Sequence, residues 1–318
     1  MQIDCFNGDA DGICALTQLR LYKPTESKLV TGVKRDINLL SKVDAASQDQ
    51  ITVLDVSLDK NRVDLDRLLK TGASIFYCDH HFAGEIPDSE NLEAIINTSA
   101  DVCTSLLINK YLDGAFLDWA IVGTFGDNLK RSATILAKPL DLNSKQLGQL
   151  ESLGVYLNYN GYGASLNDLY YHPDALFKKT VQHSSAFDFI NEDSETFATL
   201  EEGYHEDMRR AKESSVIYDD TSVSIFQLPN KSWARRVSGV FGNELANRNP
   251  NKAHAVLTEK GNDELLVSVR APLNNKQGAD QVCRQFVTGG GRAAAAGINA
   301  LPLDQIDNFI KILSNYYK

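Results

Sequence analysis

The chain has 318 residues, 43% hydrophobic and 23% charged, which suits a globular protein of roughly two domains at about 150 residues each. Its 32 basic residues against 42 acidic ones leave a formal charge of −10. Wrapping a long nucleic acid takes Lys and Arg to neutralise phosphates, and a uniformly acidic chain is repelled by that polymer and by an anionic membrane. Acids gathered in one place can instead hold metal, so their positions matter more than their sum.

The N-terminal Met1-Gln2-Ile3-Asp4-Cys5-Phe6 has no basic segment leading into an apolar run, so no signal peptide is expected. No stretch reaches the ~18 apolar residues of a membrane span. Cys5, Cys14, Cys78, Cys103 and Cys283 form no CxxC pair. Neither a disulfide framework nor a thiolate zinc site is expected, and a reduced, cytoplasmic setting is the default.

In chain order, the apolar pattern predicts a strand at Ile3–Phe6, a Gly/Asp turn, and a helix from about Ile13 with Ile13, Leu16 and Leu19 on one face. Strands follow at Lys28–Val33, Ile51–Val56, Ser74–Cys78 and Ala94–Ile96, with a helix over Val63–Leu69 and another marked by Cys103, Leu106, Leu107 and Tyr111. Short buried strands alternating with helices imply a doubly wound, mostly parallel sheet, in which ligands bind beyond the carboxyl ends of the strands. From Tyr156 to Ser215 the sequence is first polar and Tyr/Asn-rich, then helical as in Glu195–Lys212. A second α/β region follows, with a strand near Val223–Phe226 and a helix carrying Val237, Val240, Phe241 and Leu245. Ala253–Thr258 and Leu265–Val269 flank Gly261-Asn262-Asp263 as a hairpin. A helix with Ala279, Val282, Cys283 and Phe286 precedes Gly289-Gly290-Gly291, and a last helix aligns Ile306, Phe309, Ile310, Leu313 and Tyr317. The expected division is a catalytic domain over 1–170, a helical connector over 171–215, and a smaller mixed α/β domain over 216–318.

Three predicted strands run into acids or histidines: Asn7-Gly8-Asp9-Ala10-Asp11-Gly12, then Asp55, then Asp79-His80-His81; Asp127 follows the apolar segment Trp119–Phe125. Singly, these read as a turn, a helix cap, a surface pair and a loop. On one edge of a parallel sheet they converge, and like charges so placed disfavour ionisation unless one or two divalent cations relieve them. Oxygen ligands with one or two imidazoles suit Mn²⁺.

These residues resemble the motifs of the DHH phosphoesterase superfamily. Asp9-Ala10-Asp11-Gly12 is similar to its first motif, Asp55 to its second, Asp79-His80-His81 to its third and Asp127 to its fourth. Gly289-Gly290-Gly291-Arg292-Ala293-Ala294-Ala295-Ala296-Gly297 resembles the glycine motif of the associated DHHA1 domain, and Ser268-Val269-Arg270 its phosphate-gripping arginine. The resemblance implies two Mn²⁺ ions, with Mg²⁺ or Co²⁺ as substitutes. Asp9 and Asp55 would hold one, and Asp11, Asp55, His80 and Asp127 the other. It implies catalytic roles for Asp79, His81 and Asp127, with Asp79 supporting the site and His81 facing the substrate phosphate. Arg270, Gly289, Gly290, Gly291 and Arg292 would bind substrate across a cleft, the arginines holding the far phosphate or a base and the glycines letting backbone N–H groups approach an anion. Two positions depart from the pattern. Cys5 stands where the family commonly has His, leaving the first metal to Asn7, Cys5 or water, and Arg292 stands where the motif continues with His.

The expected activity is hydrolysis of very short linear oligonucleotides, dinucleotides such as pGpG among them, by a monomer or homodimer with no long nucleic acid and no membrane as partner. Arg292 would grip the guanine O6/N7 edge. The alternatives are an adenosine 3′,5′-bisphosphate phosphatase, a cyclic-dinucleotide phosphodiesterase, or a non-catalytic dinucleotide sensor. Arg235 and Arg236 are placed either along the cleft or on a solvated helix face. Tyr156, Tyr159, Tyr162, Tyr170 and Tyr171 either stack on bases or pack.

Overall fold

The computed structural model describes residues 1–318 and divides into two compact units, Met1–Gly203 and Tyr204–Lys318. The first contains β1 (Gln2–Phe6), α1 (Ala10–Tyr22), β2 (Lys28–Val30), β3 (Gln50–Leu54), α2 (Leu58–Lys70), β4 (Ser74–Asp79), β5 (Leu92–Ile96), α3 (Thr104–Tyr111), α4 (Leu117–Gly126), α5 (Lys130–Leu136), α6 (Ser144–Asn160), α7 (Pro173–Thr180) and α8 (Ala186–Glu192). The helix α9 (Ser194–Lys212) crosses the division. The residues expected to form a connector are therefore shared out: α7 and α8 belong to the first unit, with Phe177 against Phe6 and Phe189 against Trp119, because both helices carry apolar faces that the parallel-sheet domain buries.

The five strands of the first unit are all parallel, in the order β2-β1-β3-β4-β5. Strand residues alternate between faces. Ile3, Cys5, Ile51, Val53, Ile75 and Tyr77 join Leu58, Leu65 and Leu68 of α2 in one core. The other face receives α1, against which α3, α4, α6 and α7 pack. Enclosure by four helices explains why α1 is buried nearly all round rather than on one stripe. The strand order reverses between β1 and β3, the position at which such sheets open a crevice at their carboxyl edge. The Gly8 turn leaving β1 lies against the segment that follows β2, where an added Cβ would come within 1.9 Å of the Gly32 carbonyl oxygen.

The second unit contains β6 (Ser215–Asp219), β7 (Val223–Leu228), α10 (Ser232–Arg248), β8 (Ala253–Gly261), β9 (Glu264–Arg270), α11 (Ala279–Cys283), β10 (Gly289–Arg292), β11 (Ala295–Pro302) and α12 (Ile306–Tyr317). Its sheet is mixed, in the order β10-β11-β9-β8-β7-β6, with β7 and β8 the parallel pair. Val237, Phe241 and Leu245 of α10 cover one face, while Phe309 and Leu313 of α12 and Val282 of α11 cover the other. The β8–β9 hairpin turns through Asn262 and Asp263, both at positive φ of 54° and 55°, the backbone such a two-residue turn demands. Three strands escape the sequence reading. The Gly/Ala-rich β10 and β11 are poor in β-branched residues and are formed by pairing with their neighbours, while β6, with Val216, Ile217 and Tyr218, is a short edge strand directly after a helix.

In the middle of β1, the buried Asp4 is gripped by Arg20 of α1, whose Nε lies 2.8 Å from Asp4 Oδ2, with Ser27 Oγ at 2.6 Å from the same oxygen. Removing the cation alone would strand a buried carboxylate. Arg20→Met is expected to cost about 3–5 kcal/mol in urea unfolding. Adding Asp4→Leu should recover part of that loss, and an Arg20→Met cost under about 1 kcal/mol would show the pair to be unimportant.

Candidate metal centre

The carboxyl ends of β1, β3 and β4 and the end of α4 bring Asp9, Asp55, His80, His81 and Asp127 around one cavity of about 160 Å³, with Asn7 and Lys34. Asp11 joins them from the first turn of α1, where its carboxylate accepts from Thr104 N and Ser105 N, 2.7 Å from each. Those are first-turn amides of α3, so the positive end of that helix stabilises the anion. Asp55 has a φ of 58°, a left-handed backbone that a non-glycine residue adopts at a cost and that often marks a functional position. Its amide donates to Cys78 O at 3.1 Å, and its Oδ1 accepts from Thr104 Oγ1 at 3.2 Å.

His80 Nδ1 lies 2.9 Å from the Val102 carbonyl oxygen. A carbonyl only accepts, so Nδ1 carries the proton and donates. The other ring nitrogen, Nε2, faces Asp55 Oδ1 at 3.4 Å and Asp127 Oδ2 at 3.8 Å. A lone pair pointed at two carboxylates is unfavourable unless a proton or metal ion lies among them. Ligand atoms of Asp11, His80 and Asp127 lie within 4.8 Å of one another, as do those of Asp55, His80 and His81. Asp11, Asp55, His80 and Asp127 thus fit a divalent cation by donor chemistry, arrangement and unsatisfied charge.

Asp79 is fully buried and pairs with His81, Nδ1 to Oδ1 at 2.7 Å. The pair holds the half-exposed imidazole in one orientation and pushes its pKa up, the hydrogen bond outweighing burial. Burial and then the neighbouring Asp11 and Asp9 push the Asp127 carboxyl up to about 7. Asp55 is raised well above the carboxylate range by burial and by Asp9, Asp11, Asp79 and Asp127.

Asp9 behaves differently. One oxygen caps α1, accepting from Asp11 N at 3.0 Å and Gly12 N at 3.1 Å. The other lies 2.5 Å from Lys34 Nζ. Burial opposes its ionisation, yet the Lys34 charge and these hydrogen bonds hold its pKa below the usual range. Cys5 is fully buried within the apolar core on the far face of β1, and burial pushes its thiol up, which removes it as a candidate ligand. Asn7 lines the cavity, and its buried Oδ1 has no partner. The set expected for a first ion therefore does not fit: Asp9 is already capped and paired, and Cys5 is absent from the site.

Lys34, Asn158, Thr104 and Ser105 were missed by motif reading. Lys34 lies just past β2 on the same sheet edge, so the rule that gathered the acids also covers it. Thr104 and Ser105 opened a predicted helix, and only the packing of α3 on α1 shows whom their amides serve.

In the second unit, Arg270 is held by Asn243 Oδ1 at 2.6 Å, Ser268 Oγ at 3.0 Å and the Gly239 carbonyl oxygen at 3.2 Å. Arg292 is exposed at the end of β10 with no partner in the chain. Gly289–Gly291 form that strand instead of an open turn, paired with Ile298, Gly297 and Ala296. An added Cβ would meet the Cys283 carbonyl oxygen at 1.7 Å from Gly289 and Ala296 Cα at 2.5 Å from Gly291, whereas Gly290 faces open space. Arg236 lies neither along a cleft nor on a solvated face: it is buried on Asp207, 2.8 Å away, because α10 packs against α9. Among the tyrosines, Tyr156 and Tyr159 are buried and Tyr170 donates to the Gly203 carbonyl, so these three pack. Tyr162 stands by Lys34, whose Nζ is 5.8 Å from the ring centre, and Tyr171 by Lys179.

No protein-family model and no curated protein matches the sequence. Solved structures do. A DHH domain described as a member of the s1p family of ribosomal proteins matches with a TM-score of 0.67 at 10% identity, over 99% of this chain and 86% of that one. Exonuclease RecJ bound to manganese matches at 0.62 and 14% identity, over 99% of this chain and 90% of that one. The pGpG-specific phosphodiesterase PggH from Vibrio cholerae matches at 0.57 and 12% identity, over 100% and 99%. At such identities the likeness is one of fold: the chain has the two-domain architecture of DHH proteins. None of its helices is long and apolar enough to cross a membrane.

A carboxyl raised to about 7 binds protons more tightly in the folded than in the unfolded chain, whose value is near 4. Between those values, stability falls as pH rises. Thermal unfolding of the cation-free protein should therefore show Tm declining from about pH 4 to 7, with a shallower decline in Asp127→Asn and reversal by Mn²⁺. Parallel profiles for the two proteins would contradict this electrostatic reading.

Proposed function

We propose that the chain is a divalent-cation-dependent phosphodiesterase acting on very short linear oligonucleotides, dinucleotides such as pGpG among them. The observation that carries this reading is the convergence of Asp11, Asp55, His80 and Asp127 at the strand-order switch, with His80 Nε2 facing two carboxylates. It is supported by the resemblance of the same residues to the DHH motifs and by the fold shared with RecJ and PggH. Mn²⁺ is the ion this donor set suits, with Mg²⁺ or Co²⁺ as substitutes. When bound, such an ion acts as a Lewis acid that lowers the pKa of a water and offsets charge on phosphoryl oxygens.

The chain's own residues have separable tasks. The α3 amides and Thr104 hold Asp11 and Asp55 in place, and the Val102 carbonyl turns His80 so that Nε2 faces the centre. Asp79 holds His81 by Nδ1, leaving Nε2 as the nitrogen that would meet a phosphate and exchange a proton with it. In the second unit we assign substrate contacts to Arg292, exposed and unpartnered, and to Gly290, the member of the glycine run with no packing reason for its missing side chain. Arg270, Gly289 and Gly291 are kept in that role by the motif resemblance. The formal charge of −10 supports a short substrate over a long polymer.

Purified protein with Mn²⁺ should hydrolyse linear dinucleotides and leave long RNA, cyclic dinucleotides and adenosine 3′,5′-bisphosphate nearly untouched. EDTA should abolish turnover, and His80→Ala or Asp55→Asn should lower kcat/KM by at least about 100-fold. Faster turnover of long RNA, a cyclic form or the bisphosphate would replace the substrate assignment. Tight dinucleotide binding without turnover would point to a sensor.

A further inference from the structure

The position that a first ion would take between Asp9 and Asp55 already has a cation beside it. Lys34 Nζ lies 2.5 Å from Asp9 Oδ2 and 2.8 Å from Asn158 Oδ1 of α6. The side chain is about a quarter exposed, at 27%, and its Nζ lies 5.8 Å from the centre of the Tyr162 ring. Asp9, Asp55 and Lys34 line the same cavity, so the ammonium stands where a first ion on those two carboxylates would have to enter. The remaining oxygen of Asp9 is spent on the N-terminus of α1. The imidazole that would complete a first-ion set is missing, since position 5 is a cysteine turned into the core on the far face of β1. The decisive obstacle is the ammonium: the missing nitrogen ligand could be replaced by the unpartnered Asn7 Oδ1 of the same cavity or by water, whereas an oxygen ligand engaged by a positive charge repels a second cation.

We propose that Lys34 is a built-in cation of this centre, replacing one of two divalent ions, so that the chain takes a single divalent ion on Asp11, Asp55, His80 and Asp127. The inference rests on the reading of the site as a divalent-cation centre. An ammonium carries one charge where the ion would carry two, and it has three N–H donors and no coordination position for water. Two of its donors are directed to Asp9 and Asn158, and the third is available for a phosphoryl oxygen. The replacement divides the labour: the metal-held water must come from the Asp11/Asp55/His80/Asp127 side, while Lys34 neutralises Asp9 and positions substrate by hydrogen bonding. The charge at Asp9 is also balanced by a group that no chelator removes.

The test is the number of ions bound. Equilibrium dialysis and isothermal titration with Mn²⁺, together with low-temperature EPR, should find one tight equivalent per chain in the wild type, with the spectrum of an isolated ion. Lys34→Met frees Asp9 and leaves the buried, unpartnered Asn7 oxygen in the same cavity; it should take up a second equivalent and show spin coupling between two ions. Lys34→Arg, which keeps the charge, should stay at one. Asp127→Asn should lose the wild-type equivalent. Two tight equivalents in the wild type would overturn the inference while leaving the phosphodiesterase reading intact. A folded Lys34→Met protein that still binds one ion would overturn it as well. No tight binding in the wild type would overturn the reading on which it rests.

Discussion

The organising constraint of the first unit is the burial of several carboxylates at one edge of a parallel sheet. The order β2-β1-β3-β4-β5 brings the ends of β1, β3 and β4 together, and each of those ends delivers an acid. Side by side and shielded from water, Asp9, Asp11, Asp55, Asp79 and Asp127 repel one another strongly. Much of the surrounding architecture answers that repulsion. The N-termini of α1 and α3 supply amides to Asp9 and Asp11, Thr104 supplies a hydroxyl to Asp55, and His81 pairs with Asp79. What remains uncompensated is concentrated on Asp55, Asp127 and the bare nitrogen of His80, which is where a cation has most to offer.

The same constraint explains the local backbone. The left-handed φ of Asp55 ends β3 abruptly while its amide still bonds the neighbouring strand at Cys78, turning the carboxylate into the crevice instead of onward to α2. The helix α1 is buried around most of its circumference because α3, α4, α6 and α7 enclose it. That enclosure fixes the amides of α3 over Asp11. Packing far from the crevice is therefore part of the electrostatics within it.

Legibility from the sequence varied with the kind of interaction. Strands such as Ile51–Leu54 and Ile75–Cys78 were plain because a strand buried on both faces needs a continuous apolar run. The acids were plain because they punctuate those runs. The α7 and α8 helices looked like a connector, since their affinity for the first unit depends on partners such as Phe6 and Trp119 that are far away in sequence. The strands β10 and β11 were hidden because pairing, and not composition, makes Gly289–Arg292 extended. Arg236 looked like a cleft or surface residue until Asp207 stood 2.8 Å away from it.

The order and spacing of the motifs were enough to determine an α/β chain with acids and histidines converging on one sheet edge, because strand ends and turn residues are local properties. Two features of the centre were decided only by the tertiary structure. It turned Cys5 away into the core, since β1 alternates its side chains between two covered faces. It also brought Lys34 from beyond β2 to Asp9, and Asn158 from α6 to Lys34. Pairings across 25 and 124 positions leave no periodic trace in a sequence. They exist because the fold closes the distance and because a buried anion needs a cation near it.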